Sequence, residues 1–337
     1  MKAVGYRKSL PIDAADALID FETAKPEPGG HDIRVAVKAI SVNPVDYKVR
    51  KRAAPPDGET KILGYDAAGI VEAVGPDVTL FRAGDEVFYA GSILRQGTNS
   101  EFHLVDERIV GRKAKTLSFA QAAALPLTSI TAWELLFDRL KVAPGKSLDP
   151  RTLLIVGGAG GVGSILIQLA RRLTGLTVVA TATRPESQKW CRDLGAHAVI
   201  DHAAPMKEQI EKLKVPPVGL VASLTFTDQH YKAIADFMAP QGKFGLIDDP
   251  PEFTVSAFKG KAVSVHWESM FTRSSFQTPD MIAQHNLLND VADLIDKSVL
   301  RTTLDQIFGT INAVNLKRAH ALLESGKSRG KIVLEGW

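Results

Sequence analysis

The sequence predicts a two-domain α/β protein, a doubly wound parallel sheet joined to a β-rich domain. Three observations carry this reading. The chain has 337 residues, more than a single hydrophobic core usually serves. Up to about residue 118 it reads as strands and turns. Beyond that point strand and helix patterns alternate, as they do in a parallel sheet with helices on both faces. A glycine-rich turn joins the first strand and first helix of the alternating part.

The bulk properties exclude several classes. Apolar residues make up 45% and charged residues 23%, an ordinary globular composition that argues against global disorder. A net charge of +3 gives no reason to expect nucleic acid or an anionic membrane as partner. The single cysteine, Cys191, allows no internal disulfide, which fits a reducing compartment. Residues 1–8 lack the apolar run of a signal peptide, so a cytoplasmic location is expected. Residues 152–170 carry no charge and have about the length of a membrane span. Five glycines cluster in their middle, however, and a strand, tight turn and helix account for the apolarity better.

In the first part, residues 33–40 alternate apolar and polar side chains like a half-buried strand, and residues 67–74 and 85–89 read as further strands. Gly75-Pro76 and Gly84-Asp85 mark turns, and few helices are expected. Ser118 and Gln121 have capping-box spacing and open a helix that runs on to Leu125. Strands are then expected at 152–156, 177–182, 198–200, 220–224, 243–247 and 262–267. Helices are expected at 162–173, 186–194, 207–213 and 228–238. Two later helices, 280–297 and 315–324, precede a strand at 331–334 whose mixed texture suits a return to the first domain. The expected division is 1–122, 123–267 and 268–337, the last part completing the first.

The strongest local signal is Gly158-Ala159-Gly160-Gly161-Val162-Gly163, a G-x-G-x-x-G between a strand and a helix. Gly158 would allow the tight turn, Gly160 would let a pyrophosphate approach, and Gly163 would let helix and strand pack closely. Amides at the helix start would then face the phosphates, backed by the positive end of the helix dipole. In this strand–loop–helix context the pattern predicts the dinucleotide site of a Rossmann sheet, with a ligand-free glycine turn as the alternative. A fold of this kind that takes NAD carries an acid about twenty residues on, for the ribose 2′-hydroxyl. Here the stretch is Thr181-Ala182-Thr183-Arg184-Pro185-Glu186, with no acid at the strand end. Thr183 and Arg184 can bind a 2′-phosphate, with Lys189 close in sequence, so NADPH is the expected cofactor.

Beyond this loop, much of the chain resembles the medium-chain dehydrogenase/reductases, and within them the quinone oxidoreductase branch and its zinc-type alcohol dehydrogenase-like proteins. The supporting stretches include Ser41-Val42-Asn43-Pro44-Val45-Asp46, Leu63-Gly64-Tyr65-Asp66-Ala67-Ala68-Gly69, Leu125-Pro126-Leu127-Thr128-Ser129, Leu246-Ile247-Asp248-Asp249-Pro250 and Gly330-Lys331-Ile332-Val333-Leu334. The resemblance implies a GroES-like β-rich domain beside the Rossmann domain. It also implies that Asn43 and Thr128 touch the nicotinamide end, that Lys331 lies near the pyrophosphate, and that Leu246, Ile247 and Asp248 line the nicotinamide pocket. Read without it, Asn43-Pro44 starts a turn and Thr128 or Ser129 caps the helix that follows.

Zinc members of this superfamily carry a catalytic Cys, a Gly-His-Glu and a second Cys. Asn43 sits near the first Cys position, Gly64-Tyr65-Asp66 replaces Gly-His-Glu, and Leu127 is near the second Cys. A catalytic zinc needs about three Cys, His or carboxylate ligands, so no metal is expected. NADPH can still reduce an electron-poor carbon, and quinones and α,β-unsaturated carbonyls qualify as substrates. Hydrogen-bond donors must then stabilise the developing oxyanion. Asn43, Tyr65 and Tyr47 are candidates, with Asp46 to orient a neighbour or contact the ribose, although each tyrosine taken singly reads first as a packing residue with a satisfied hydroxyl. Lys48 and Ala54 stand where quinone oxidoreductases of this branch often carry tyrosines. An NADPH-binding structural or regulatory protein, or an alcohol dehydrogenase, are the alternatives. The run Lys261-Ala262-Val263-Ser264-Val265-His266-Trp267 is apolar, β-branched and last in its sheet, which predicts a homodimer that covers this edge.

Overall fold

Apolar runs without polar alternation form the interior strands of a six-stranded, wholly parallel sheet. The computed structural model describes all residues from Met1 to Trp337. Its parallel sheet runs in the spatial order Ala198–Ile200, Thr177–Thr181, Thr152–Val156, Val218–Ser223, Lys243–Leu246, Ser264–Trp267. Strand order reverses direction between Thr152–Val156 and Val218–Ser223, the switch point at which an open α/β sheet binds its ligand. Both central strands are buried along their whole length, as continuous Leu, Ile and Val runs require. Leu154, Val156, Val179, Val221, Ile234 and Phe244 belong to the core beneath them.

The first and last parts of the sequence make a second, mostly antiparallel structure, the GroES-like domain. Asp32–Val42 is its central strand and pairs with Ala67–Val74, Phe102–Asp106 and Lys331–Glu335. The C-terminal strand is thus hydrogen-bonded to the N-terminal part of the chain, with Ile332 opposite Val42. Val35, Val37, Ile40, Val71, Val87 and Ile332 fill its core. By compactness the chain divides into Met1–Ile130 with Phe271–Trp337, and Thr131–Met270.

Several local expectations give way to tertiary context. Asn43-Pro44 opens a helix, Pro44–Arg52, instead of a turn, with Pro at its first position where a missing N–H costs nothing. The capping box at Ser118 and Gln121 forms in both directions, at 3.2 and 3.0 Å, but its helix ends at Ala123. A new helix, Pro126–Trp133, begins before Thr128, so neither Thr128 nor Ser129 is its cap. The edge strand is shorter than its apolar run. Lys261 closes a 3-10 turn, with its ammonium 2.9 Å from the Met238 carbonyl, and Ala262 is left-handed at φ +50°, so pairing starts at Ser264. No helix is long and apolar enough to cross a membrane.

Candidate active site

In the parallel-sheet unit the glycine loop follows Val156 and leads into the helix Gly161–Leu173. The positive φ that the turn demands, +82°, falls on Gly157, one residue before the expected Gly158. Gly158 is a packing glycine instead, since a Cβ there would lie 2.7 Å from the Ala180 Cβ. Gly163 packs as expected, a Cβ being 2.6 Å from the carbonyls of Gly157 and Gly158. Gly160 is different. A Cβ there would meet nothing nearer than the Gly157 carbonyl at 3.5 Å, so the chain's own packing does not call for glycine. Open space over Gly160, beside the unpaired first-turn amides of Gly161, Val162 and Gly163, is what a pyrophosphate needs. Ala159 is buried beneath the loop.

Thr181 closes the adjoining strand and its hydroxyl accepts the Gly157 amide at 3.0 Å. Thr183 beyond it is exposed, and the Arg184 side chain is about two-fifths exposed, its Nε 3.5 Å from Glu186. Arg184 is therefore held weakly and free to meet an anion. Lys189 is drawn to Asp193 one helical turn on, at 2.6 Å. Across the switch point, Thr225 would lie 2.8 Å from a Cβ on Gly157, and Phe226 is left-handed at φ +52° and half exposed. A bulky residue in that conformation is strained, and sequence pattern gave no sign of it. Leu246 is fully buried in the core, and Ile247 is half-buried. Asp248 accepts the Thr227 amide at 3.0 Å and its hydroxyl at 2.6 Å, so both carboxylate oxygens hold the start of the helix Thr227–Phe237.

In the GroES-like unit, Asn43, Asp46, Asp66 and Lys331 form one buried network. The Lys331 ammonium is 3.1 Å from the Val42 carbonyl and 3.0 Å from Asp66 Oδ2, and it also donates to Asn43 Oδ1. All three of its protons are taken, so a pyrophosphate would have to displace one of these acceptors. Asn43 Nδ2 donates to Asp66 Oδ2 at 2.8 Å, and the Leu127 amide donates to Asp66 Oδ1 at 2.7 Å. Burial pushes the Asp66 carboxyl upward, against the pull of Lys331 and Asn43. With only donors aimed at its oxygens, we assign it as the carboxylate. Asp46 accepts the Asn43 amide at 2.5 Å and the Gly64 amide at 3.1 Å, and burial raises it to about 7.

The proposed chemical groups are thus not equivalent. Asn43 and Asp46 spend their polar atoms inside the network. Thr128 is buried and donates to the Leu125 carbonyl at 3.1 Å. Tyr47, one residue past Asp46 and so turned by about 100° on the same helix, is half-buried, with the Lys51 ammonium 5.3 Å above its ring. Tyr65 is 1% exposed, packs edge-on against Phe271, and its hydroxyl has no partner. Burial holds that hydroxyl well above the ordinary tyrosine range, so it is a donor and not an anion.

A glycine-loop parallel sheet and a GroES-like β domain in one chain define a nicotinamide-dependent dehydrogenase or reductase. Residues 29–130 match the alcohol dehydrogenase GroES-like domain family, and residues 194–334 match the family described as zinc-binding dehydrogenase. The chain is 39% identical over 337 residues, 99% of each chain, to a zinc-type alcohol dehydrogenase-like protein of Staphylococcus aureus strain MSSA476. Its fold matches that of a Rhizobium etli CFN 42 protein assigned provisionally as a zinc-dependent alcohol dehydrogenase. The TM-score is 0.96 and the identity 63%, covering 100% of this chain and 98% of that one. A 2-methylene-furan-3-one reductase of Solanum lycopersicum is 36% identical over 223 residues, 63% of this chain and 54% of that enzyme. The chain belongs to the zinc-type alcohol dehydrogenase-like proteins of the medium-chain dehydrogenase/reductase superfamily, and is an oxidoreductase of that family.

Proposed function

We propose that this chain is an NADPH-dependent, zinc-independent reductase of α,β-unsaturated carbonyls or quinones. The observation that carries the reading is the Tyr65 hydroxyl, buried without a partner next to a network that contains no thiolate or imidazole. A buried unpaired hydroxyl costs about 1–3 kcal/mol unless a ligand satisfies it. The same network does not fit zinc. The two carboxylates are already engaged by backbone amides, Asn43 and Lys331, and the ammonium would repel a cation. The glycine loop does fit a dinucleotide, and the acid-free strand end with Arg184 favours the 2′-phosphate. NADPH, when bound, supplies a hydride for the electron-poor carbon of the acceptor. Tyr65 would hydrogen-bond the acceptor oxygen, where charge builds up. Asn43, Asp46, Asp66 and Lys331 would hold Tyr65 and the backbone at Gly64 in place.

NADPH oxidation measured across a panel of quinones and enones tests this, with zinc content measured on the same sample. Turnover of an enone or quinone by zinc-free protein is expected. Absence of turnover with every acceptor would favour a binding protein, and one zinc per chain would refute the ligand argument. The exposed edge Ser264–Trp267, with Trp267 55% exposed, also leads us to propose a homodimer. Light scattering should give twice the chain mass, and Trp267→Glu should shift it toward one.

A further inference from the structure

Two histidines unused by the reading above stand at the ligand end of the parallel sheet. His202 follows the strand Ala198–Ile200, and its Nδ1 lies 2.8 Å from the Thr181 hydroxyl. That hydroxyl also accepts the Gly157 amide, so His202 is one side chain removed from the glycine loop. His230, on the helix Thr227–Phe237, has its ring centroid 5.5 Å from that of His202. Both residues are partly exposed. Thr181 is in register with Ile200, so Thr183 and Arg184 follow one strand end and Asp201 and His202 follow the end of the neighbouring strand. The end of the second strand is where a ribose 2′-hydroxyl or 2′-phosphate lies in such sheets. Neither histidine is needed to hold this corner of the fold by an ion pair.

We infer that His202 and His230 form a proton-dependent receptor for the 2′-phosphate, so that NADPH, unlike NADH, binds with uptake of a proton. The inference rests on the NADPH reading. The charged groups facing the pair are Asp201 beside His202 and Asp228 beside His230, with Arg184 at the neighbouring strand end. Burial, and for His202 also the charge of His230, holds both rings below the ordinary histidine range, so the empty site is neutral at pH 7. In the neutral tautomer that accepts the Thr181 hydroxyl proton at Nδ1, the ring proton is on Nε2. A phosphate dianion beside the ring raises its pKa. A ring whose pKa rises on binding takes up a proton, and the ligand then binds more tightly as pH falls toward the range of the free ring. Arg184 carries the preference at high pH, and the histidines add to it as the medium becomes acidic.

Calorimetric titration with NADPH and NADH at pH 8 and 6.5, in two buffers of different ionisation enthalpy, measures both affinity and protons exchanged. For the wild-type chain we expect the NADPH-to-NADH affinity ratio to rise by about threefold between these pH values, because a one-unit upward shift of a ring that starts below the ordinary range is only partly expressed at pH 6.5. Proton uptake should accompany NADPH only. His202→Gln, which keeps an acceptor for Thr181, should bind both nucleotides with a ratio that does not rise toward pH 6.5, and His230→Gln should lie between. The 2′-phosphate itself has its second ionisation near pH 6, but that contribution is common to all variants. Imidazole proton resonances of the wild-type chain give a check independent of variant folding, since the His202 titration midpoint should move up when NADPH is added. Equal proton uptake with both nucleotides, or an unmoved His202 midpoint, overturns the proposal while the NADPH reading survives. Failure of NADPH to outcompete NADH at pH 8 overturns both.

Discussion

Replacing Lys331 by Met tests the buried network where its electrostatic stakes are highest. Lys331 is 3% exposed and Asp66 is fully buried, at 3.0 Å from one another. Met fills most of the lysine volume, so the loss is one of charge and hydrogen bonds and not of packing. The Val42 carbonyl and Asn43 Oδ1 lose a donor, and the Asp66 carboxylate keeps only Asn43 and the Leu127 amide. Breaking a buried pair in this way costs about 3–5 kcal/mol. Asp66 can limit the cost by taking up a proton, so the defect should be largest near pH 8 and smaller near pH 5. Adding Asp66→Asn removes the stranded charge, and the Asn43 amide, released from Lys331, can turn to present its oxygen to the new amide. The double variant should regain at least half of the loss. Scanning calorimetry reads this directly, at roughly 2–4 °C per kcal/mol for a structure of this size. The transition to follow is that of the GroES-like unit, because a two-unit chain does not unfold in one step. A loss below about 1 kcal/mol at pH 8, or a double variant worse than Lys331→Met, would refute the assignment of a buried ion pair.

Three further outcomes are expected. Arg184→Ala should weaken NADPH by about tenfold and leave NADH unchanged in fluorescence titration, since a charge-assisted contact to phosphate is worth roughly 1.5–3 kcal/mol; equal weakening of both nucleotides would remove the argument. Tyr65→Phe should hold or raise the melting temperature, because it deletes an unpaired hydroxyl, yet slow enone or quinone reduction by on the order of a hundredfold if the site is dry. Unchanged turnover would move the oxyanion contact elsewhere. Asp46 has a folded-state pKa raised to about 7, so its contribution to stability is full below about pH 4, where the unfolded carboxyl is also protonated, and is lost as pH rises through 7. Asp46→Asn should therefore be more harmful at pH 5 than at pH 8 in urea unfolding, and a pH-independent penalty would show that the two amide donors keep Asp46 ionised throughout.

Sequence by itself determined the parallel sheet, because fully buried strands need uninterrupted apolar runs. Thr152–Val156, buried at every position, falls where its composition puts it. It also determined the glycine-rich turn between Val156 and the helix Gly161–Leu173, because close strand–helix packing leaves no room for a Cβ on Gly158 or Gly163. Local signals failed where two competing conformations are both permitted. Asn43-Pro44 suits a turn or a helix start, and the helix prevails because Asp46 can then accept the Asn43 and Gly64 amides. Positive φ moved from Gly158 to Gly157 because Gly158 had to approach Ala180. Long-range chemistry was decided by tertiary structure alone. Lys331 meets Asn43 and Asp66 across 288 and 265 residues, through the pairing of the last strand with Asp32–Val42. No spacing in the sequence marks His202 and His230 as neighbours. They meet because parallel strands present all their C-terminal ends along one edge of the sheet, whatever the length of chain between them.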